Sequence, residues 1–137
     1  TIFFRHLARV PLRVENRQDQ ITPLLEAFYR PEQLTDGYRQ QLANWLEQYT
    51  QRLDQQPQPE QQRIARMNRA NPKYVLRNYL AQLAIDKVLE GEYSMVWELL
   101  EVLRHPYDDQ PGKERYAHKR PEWARHRPGC SMLSCSS

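Results

Sequence analysis

Apolar residues recur along this chain at steps of three and four, which is the spacing of one face of an α-helix. The pattern predicts an opening helix with an apolar face over residues 2–8 that stops before Pro11. A longer helix is predicted after Thr35 or Asp36, either of which can cap it. Its apolar stripe consists of Leu42, Trp45, Leu46, Tyr49 and Leu53. Because no segment shows the alternation of a half-buried strand, the predicted fold class is all-α.

Prolines and polar runs divide the remainder of the first half. Residues 12–20 are polar and are predicted to form a loop. Thr22 followed by Pro23 is typical of a helix start, since proline lacks an amide hydrogen that would be unpaired there, and it predicts a short helix to Arg30. The run 55–59 is predicted to be a linker within the domain, followed by a short helix that carries Ile64 and Met67.

The second half contains the strongest helical pattern. Asn71-Pro72 repeats the cap and proline signature and predicts a helix that ends at Gly91 in a left-handed conformation. Its apolar face consists of Val75, Leu76, Tyr79, Leu80, Leu83, Ala84 and Val88. A second helix, ended by His105-Pro106, should pack against it as an antiparallel hairpin. Its apolar positions are Met95, Val96, Leu99, Leu100 and Leu103. Residues 106–137 are predicted to be an irregular tail that either wraps along a surface or is disordered.

Composition excludes several classes of protein. The 137 residues, 39% of them hydrophobic, suffice for one modest core, and no apolar run reaches the roughly 20 residues of a membrane-spanning helix. Four glycines leave no material for a loop that cradles phosphates, which argues against a self-contained nucleotide site. The chain starts without Met on an apolar helix, so we expect a piece of a longer protein.

The net charge of +3 lies in the tail, because the segment from Arg104 to Arg127 has seven basic and four acidic residues and the remaining charges balance. Acidic residues interrupt the basic ones, so a nucleic-acid partner is unlikely and a solvated or protein-docking tail is favoured.

Two cysteines, Cys130 and Cys135, lie among the last eight residues. An accessible thiol there could exchange disulfides or be oxidised, and the alternative is that both thiols are idle. Together with His118 and His126 they have the composition of a zinc site, but not the spacing of paired zinc knuckles, so no metal is predicted. No serine or cysteine lies beside a base, and no catalytic residue is predicted.

Arg77 and Asn78 interrupt an apolar stretch and should make specific hydrogen bonds if their helix is buried. Arg77 then either braces a neighbouring loop or domain, or extends its charged end to water.

The segment from about Met67 to the end closely resembles the C-terminal end of the selenoprotein O family. The matching features are the run 71–82, Ala84-Ile85, Gly91-Glu92, the helix 99–103, His105-Pro106-Tyr107, Arg120-Pro121-Glu122-Trp123 and Cys135-Ser136-Ser137. The resemblance implies a protein kinase-like (pseudokinase) fold that binds ATP in an inverted pose. It implies AMP transfer to Ser, Thr or Tyr hydroxyls of proteins with Mg²⁺ or Mn²⁺.

In that family the lysine, the metal ligands and the catalytic acid precede this segment. The resemblance therefore implies that residues 1–105 form a helical C-terminal subdomain and residues 106–137 a tail, with no catalytic, metal or cofactor site of their own. The implied partners are the kinase-like part of the same protein and its protein substrates. The implied compartment is the cytoplasm in bacteria and the mitochondrion in eukaryotes.

Cys135 matches a near-terminal redox position of the family, where it could pair with a cysteine outside this chain. A local bridge between Cys130 and Cys135 is a competing possibility. The missing part should leave an apolar patch that includes Phe3, Phe4 and Phe28. The alternative function is a freestanding helical module that docks a protein partner through its basic tail.

Overall fold

The computed structural model describes residues 1–11, 17–56 and 58–130. These residues form α-helices and short 3₁₀ segments without a strand, so the all-α prediction is confirmed. The helices are α1 (Ile2–Arg9), α2 (Arg17–Leu25), α3 (Asp36–Asp54), α4 (Glu60–Ala70), α5 (Asn78–Leu89) and α6 (Ser94–Arg104). The chain divides into two compact units, Thr1–Asn71 (unit 1) and Pro72–Ser137 (unit 2). This division differs from the predicted one at residue 105, since residues 106–130 belong to unit 2.

Helix α2 starts earlier than predicted. Residues 17–20 are helical, so the predicted loop is wrong there, and residues 12–16 lie outside the described residues. Pro23 does not start the helix but lies in its last turn. Its missing amide hydrogen removes one bond of the helix, and the helix ends two residues later. The predicted helix up to Arg30 is also wrong, because the chain turns after Leu25.

Unit 1 has its core where four helices meet. Helix α1 packs against α2 and α4, and α2 packs against α3. The core residues are Leu7, Val10, Ile21, Leu24, Leu42 and Leu46. Thr35 caps α3 as predicted, because its hydroxyl accepts a hydrogen bond from the amide of Tyr38 at 3.2 Å. The predictions of α1, α3 and α4 are confirmed.

Unit 2 is built on the hairpin of α5 and α6. Helix α5 begins at Asn78 and not at Pro72, so the predicted start is wrong by about six residues. The amides of Lys73 and Tyr74 both donate to the carbonyl of Pro106, at 2.7 and 3.0 Å, which holds this stretch out of the helix. The hairpin turn contains Gly91 at φ +84°, which confirms the predicted left-handed conformation.

The tail after α6 is part of the core of unit 2 through residue 130. It contains the 3₁₀ segments Glu114–Ala117 and Glu122–Arg125. Tyr116, Ala124 and Cys130 are buried in the same cluster as the inner residues of α5 and α6. The tail is irregular, as predicted, but it is not disordered between residues 106 and 130. Among the described residues, no helix is both long and apolar enough to cross a bilayer.

Candidate functional site

One carboxylate of α6, that of Glu98, contacts three residues of the tail. It accepts hydrogen bonds from the ammonium of Lys113, from the guanidinium of Arg115 at 2.5 Å and from the hydroxyl of Tyr116 at 2.5 Å. The bonds from Lys113 and Tyr116, with the charge of Arg115, lower the pKa of Glu98 from 4.5 to about 2. Glu98 is therefore ionised near neutral pH and holds three tail residues at once.

A pocket of about 360 Å³ opens beside this cluster. Its apolar wall includes Leu80, Leu83 and Met95, and its rim includes Lys87 and Arg115. The cations of the rim are already paired, Lys87 with two glutamates and Arg115 with the carboxylate described above. Because these charges are neutralised locally, the pocket offers no free cation to a triphosphate.

A second attachment joins the far end of the tail to α5. Asp86 accepts hydrogen bonds from Gln82 at 3.0 Å and from Arg127 at 2.6 Å. The bond from Gln82 and the bond and charge of Arg127 lower the pKa of Asp86. Gly129 follows at φ +80°, and a Cβ there would lie 2.1 Å from Oε1 of Gln82. Glycine at this position therefore lets the tail approach α5 closely.

Arg77 and Asn78 lie at the start of α5 and have different environments. Nε of Arg77 donates to the carbonyl of His118 in the tail at 3.1 Å, and the hydroxyl of Tyr79 donates to the same carbonyl at 3.3 Å. Nδ2 of Asn78 is buried and has no hydrogen-bond partner among the described residues. A specific hydrogen bond thus forms at Arg77, whereas the amide of Asn78 lacks the one expected for it.

Of the two cysteines, Cys130 is the one that the structure describes. Cys130 is buried, with 0% exposure, so solvent does not reach its thiol in the described part of the chain. Cys135 lies outside the described residues, so a bridge between Cys130 and Cys135 stays a prediction. Within the described ranges, no three His, Cys, Asp or Glu side chains are grouped so that they could hold a metal ion. The residues described here therefore do not fit a divalent cation, and no chemical step in this chain is assigned to one.

Sequence reasoning missed the buried Arg63 of α4, which is only 2% exposed. Its guanidinium donates to the carbonyls of Leu7 and Val10 at the end of α1, at 3.4 and 3.5 Å. Arg5 of α1 donates in return to the carbonyl of Asn71, just past the end of α4, at 3.2 Å. Each arginine thus lies at the negative end of the other's helix, where a cation interacts favourably with the last carbonyls. Its burial could have been inferred from its position, because Arg63 lies one helical turn before the apolar Met67 and thus on the same side of α4.

The predicted apolar patch of unit 1 exists as a cluster of aromatic rings. Phe3 lies at the centre, with ring centroids 5.6 Å from Phe4, 6.4 Å from Phe28 and 5.9 Å from Trp45. Phe4 and Trp45 are exposed, whereas Phe3 and Phe28 are partly buried. That this cluster is a docking surface stays a prediction.

Comparison with known proteins assigns the family. The profile of the family described as "Protein adenylyltransferase SelO" matches residues 1–104. The chain belongs to the SelO family. A relative in Rhodopirellula baltica, named Protein nucleotidyltransferase YdiU, is 56% identical over the whole chain, which covers 27% of that protein. Relatives with the same name in Aromatoleum aromaticum and Xanthomonas axonopodis pv. citri are 54% and 60% identical over 100% and 83% of the chain.

The SelO-family chain spans about a quarter of the length of these curated relatives, namely 27%, 25% and 22% of the three proteins. The resemblance stated from the residues is thereby confirmed. The alignments to the first two relatives include the tail, which lies beyond the 104 residues matched by the family profile.

Proposed function

We propose that this chain is the C-terminal part of a protein adenylyltransferase with a kinase-like fold. The enzyme transfers AMP from ATP to Ser, Thr or Tyr hydroxyls of other proteins. The match to the SelO family over residues 1–104 carries this proposal. Relatives aligned with the whole chain are named protein nucleotidyltransferases, which supports transfer of a nucleotide to protein.

The transfer itself takes place outside this chain in our proposal. A protein hydroxyl attacks the α-phosphorus of ATP, a new P–O bond forms, the bond to the β-phosphate breaks, and pyrophosphate leaves while the hydroxyl proton passes to a base. ATP and Mg²⁺ or Mn²⁺ are assigned to the region that the longer relatives have in addition. Two features of unit 2 support this assignment, namely the paired charges around the pocket and the lack of a metal-ligand group among the described residues.

The tail is proposed to be an integral part of this segment and not a free docking arm. Four of its basic residues, Lys113, Arg115, Arg125 and Arg127, form ion pairs with carboxylates of the same unit. A basic arm that recruits a partner would need these charges free. The helical interaction module is therefore the weaker alternative.

The proposal can be tested with a chimera in which this chain replaces the corresponding quarter of the Rhodopirellula baltica relative, to which it is 56% identical. The chimera is incubated with Mg²⁺ or Mn²⁺, acceptor proteins and ATP labelled at either the α- or the γ-phosphate. Transfer of the α-label alone, with a mass increase of one AMP on a hydroxyl, is the expected result. Transfer of the γ-label would indicate a kinase, and an inactive chimera beside an active parent would contradict the assignment of this chain.

We further propose that oxidation of Cys135 regulates the parent enzyme by pairing with a cysteine outside this chain. The burial of Cys130 supports this choice. An oxidant in solution does not reach a buried thiol, so Cys135 is the cysteine of this sequence that we propose as its target. Such a switch fits a reducing compartment, and we propose the cytoplasm of a bacterium.

The regulatory proposal is tested in the same chimera with Cys135→Ser. Activity should become insensitive to oxidant, while the activity of the reduced enzyme stays the same. The matched control, Cys130→Ala, places no hydroxyl in the core and should keep its oxidant sensitivity. A Cys135→Ser variant that is still inhibited by oxidant, and still restored by a thiol reductant, would refute the regulatory role.

A further inference from the structure

Helix α6 is apolar on two sides, and within the described part of unit 2 only one of them is covered. Leu99 and Val102 are buried in the core of unit 2. Val96, Trp97 and Leu100 are 40%, 65% and 42% exposed, and we refer to these three residues as the Trp97 face. On a helix of 3.6 residues per turn the three positions fall within an arc of about 100°, and Glu101 lies about 40° beyond the edge of that arc. The side of α6 next to this face is exposed and polar and contains Glu101, whereas Glu98 is partly buried beneath the tail.

An exposed apolar face of this kind is unusual on a helix that already buries another apolar side. Amphipathic surface helices have one apolar stripe, and a helix with apolar residues nearly all round is normally buried. Tryptophan in particular buries a large area when it is covered and is enriched at the centres of interfaces. Sequence periodicity had assigned Val96 and Leu100 to the core with Leu99, and the structure leaves them outside it.

We infer that the Trp97 face binds the part of the same polypeptide that lies outside this chain. This inference rests on the proposed function, which makes the chain one part of a longer enzyme. Two observations favour this occupant. The curated relatives are about four times as long as the matched segment, so a longer protein of this kind has a large amount of further chain that can pack against this face. The face also lies within residues 1–104, the span that matches the family profile, and not in a peripheral addition.

The chemistry of the face describes the surface that it should meet. Its three residues are uncharged, so the surface that they meet should be apolar and lack an unpaired charge, which would be buried on docking. Arg104, one turn beyond Leu100 on the same side, is exposed and is paired with Glu101. The rim is formed on one side by Glu101, whose carboxylate is paired with Arg104 at 2.7 Å. The docked area should therefore end near Glu101, which provides an internal control.

The inference is tested by thiol labelling in the same full-length chimera. Trp97→Cys and Leu100→Cys are compared with Glu101→Cys, each as a single substitution, and labelling at each site is quantified by peptide mass spectrometry. Since Trp97 and Leu100 are exposed in this chain, neither substitution removes core packing. In the native chimera we expect labelling at residues 97 and 100 to be at least about tenfold slower than at residue 101, and equal labelling at all three in denaturant.

Each outcome decides between occupants. Similar labelling rates at residues 97, 100 and 101 in the native chimera would overturn the inference. Protection that is equally strong in the 137-residue chain alone, or that rises with protein concentration, would assign the face to this chain itself or to a second copy and would also overturn it.

The inference and the proposed function fail separately. A chimera that transfers AMP but shows no protection at residues 97 and 100 would refute the docking surface and leave the function standing. A chimera that protects both residues but does not transfer AMP would support the docking surface and contradict the function.

Discussion

Replacing Glu98 by Gln should release the tail of unit 2 from α6 at this point. The substitution keeps the size of the side chain and removes the charge that Lys113 and Arg115 both contact. A carboxyl whose pKa falls from 4.5 to about 2 on folding stabilises the fold by at most about 3 kcal/mol. Because the side chain of Arg115 is 63% exposed, water screens part of this interaction, and we expect a loss of about 1–2 kcal/mol at pH 7.

The pH dependence gives the same reasoning a sharper test. The folded-state pKa of Glu98 is depressed, so its contribution is complete above the unfolded value of 4.5 and is lost as the pH falls towards about 2. Urea unfolding of the two proteins should therefore show a difference at pH 7 that shrinks at pH 3. The matched control is Glu101→Gln on the same helix, whose exposed pair with Arg104 should contribute at most a few tenths of a kcal/mol. If Glu98→Gln is as stable as the unaltered chain at pH 7, or if the difference persists at pH 2, the argument is refuted.

Three further substitutions test other contacts. Arg63→Met should destabilise unit 1 by about 2–4 kcal/mol in chemical unfolding, because two buried carbonyls at the end of α1 lose their donor, whereas Arg66→Met on the exposed side of α4 should change little. In thermal melts Gly129→Ala should lower the melting temperature more than Gly91→Ala. Both positions have positive φ, so alanine costs about 1 kcal/mol at each, but only at residue 129 does the new Cβ force a contacting side chain to move. Equal losses would contradict the close approach of the tail to α5. Cys130→Ser places a hydroxyl in an apolar core and should lower stability by about 1–3 kcal/mol, while an unchanged melting temperature would argue that the site is not buried.

Local pattern was sufficient for helices whose apolar stripe is continuous. Helices α3 and α6 follow from residues three and four apart, and Thr35 and Gly91 mark a start and an end by their own backbone chemistry. Helix α2 was misplaced because Pro23 has two meanings. A proline fits the first turn of a helix, where its amide hydrogen would have no partner, but Pro23 lies in the last turn, where it removes one hydrogen bond just before the helix ends.

Long-range contacts account for the features that the sequence did not reveal. Residues 72–77 match a helical pattern, yet two of their amides bond to the carbonyl of Pro106, a partner more than thirty residues away. Tyr116 and Ala124 are buried without any periodic pattern around them, because 3₁₀ turns present single residues to the core. The position of Arg77 and its pairing with a tail carbonyl have the same origin, and no local rule specifies them.

The attachment of the tail also determines how unit 2 reaches its native state. The bonds that close it join residues far apart in sequence, such as Tyr74 to Gln110 with a separation of 36 and Asp86 to Arg127 with a separation of 41. Helices and their hairpins form on the microsecond scale from neighbouring residues, whereas contacts of this separation first require a long segment to be closed into a loop. We therefore expect the folding rate of this helical unit to be limited by the docking of an irregular segment onto the hairpin, as in proteins of high contact order.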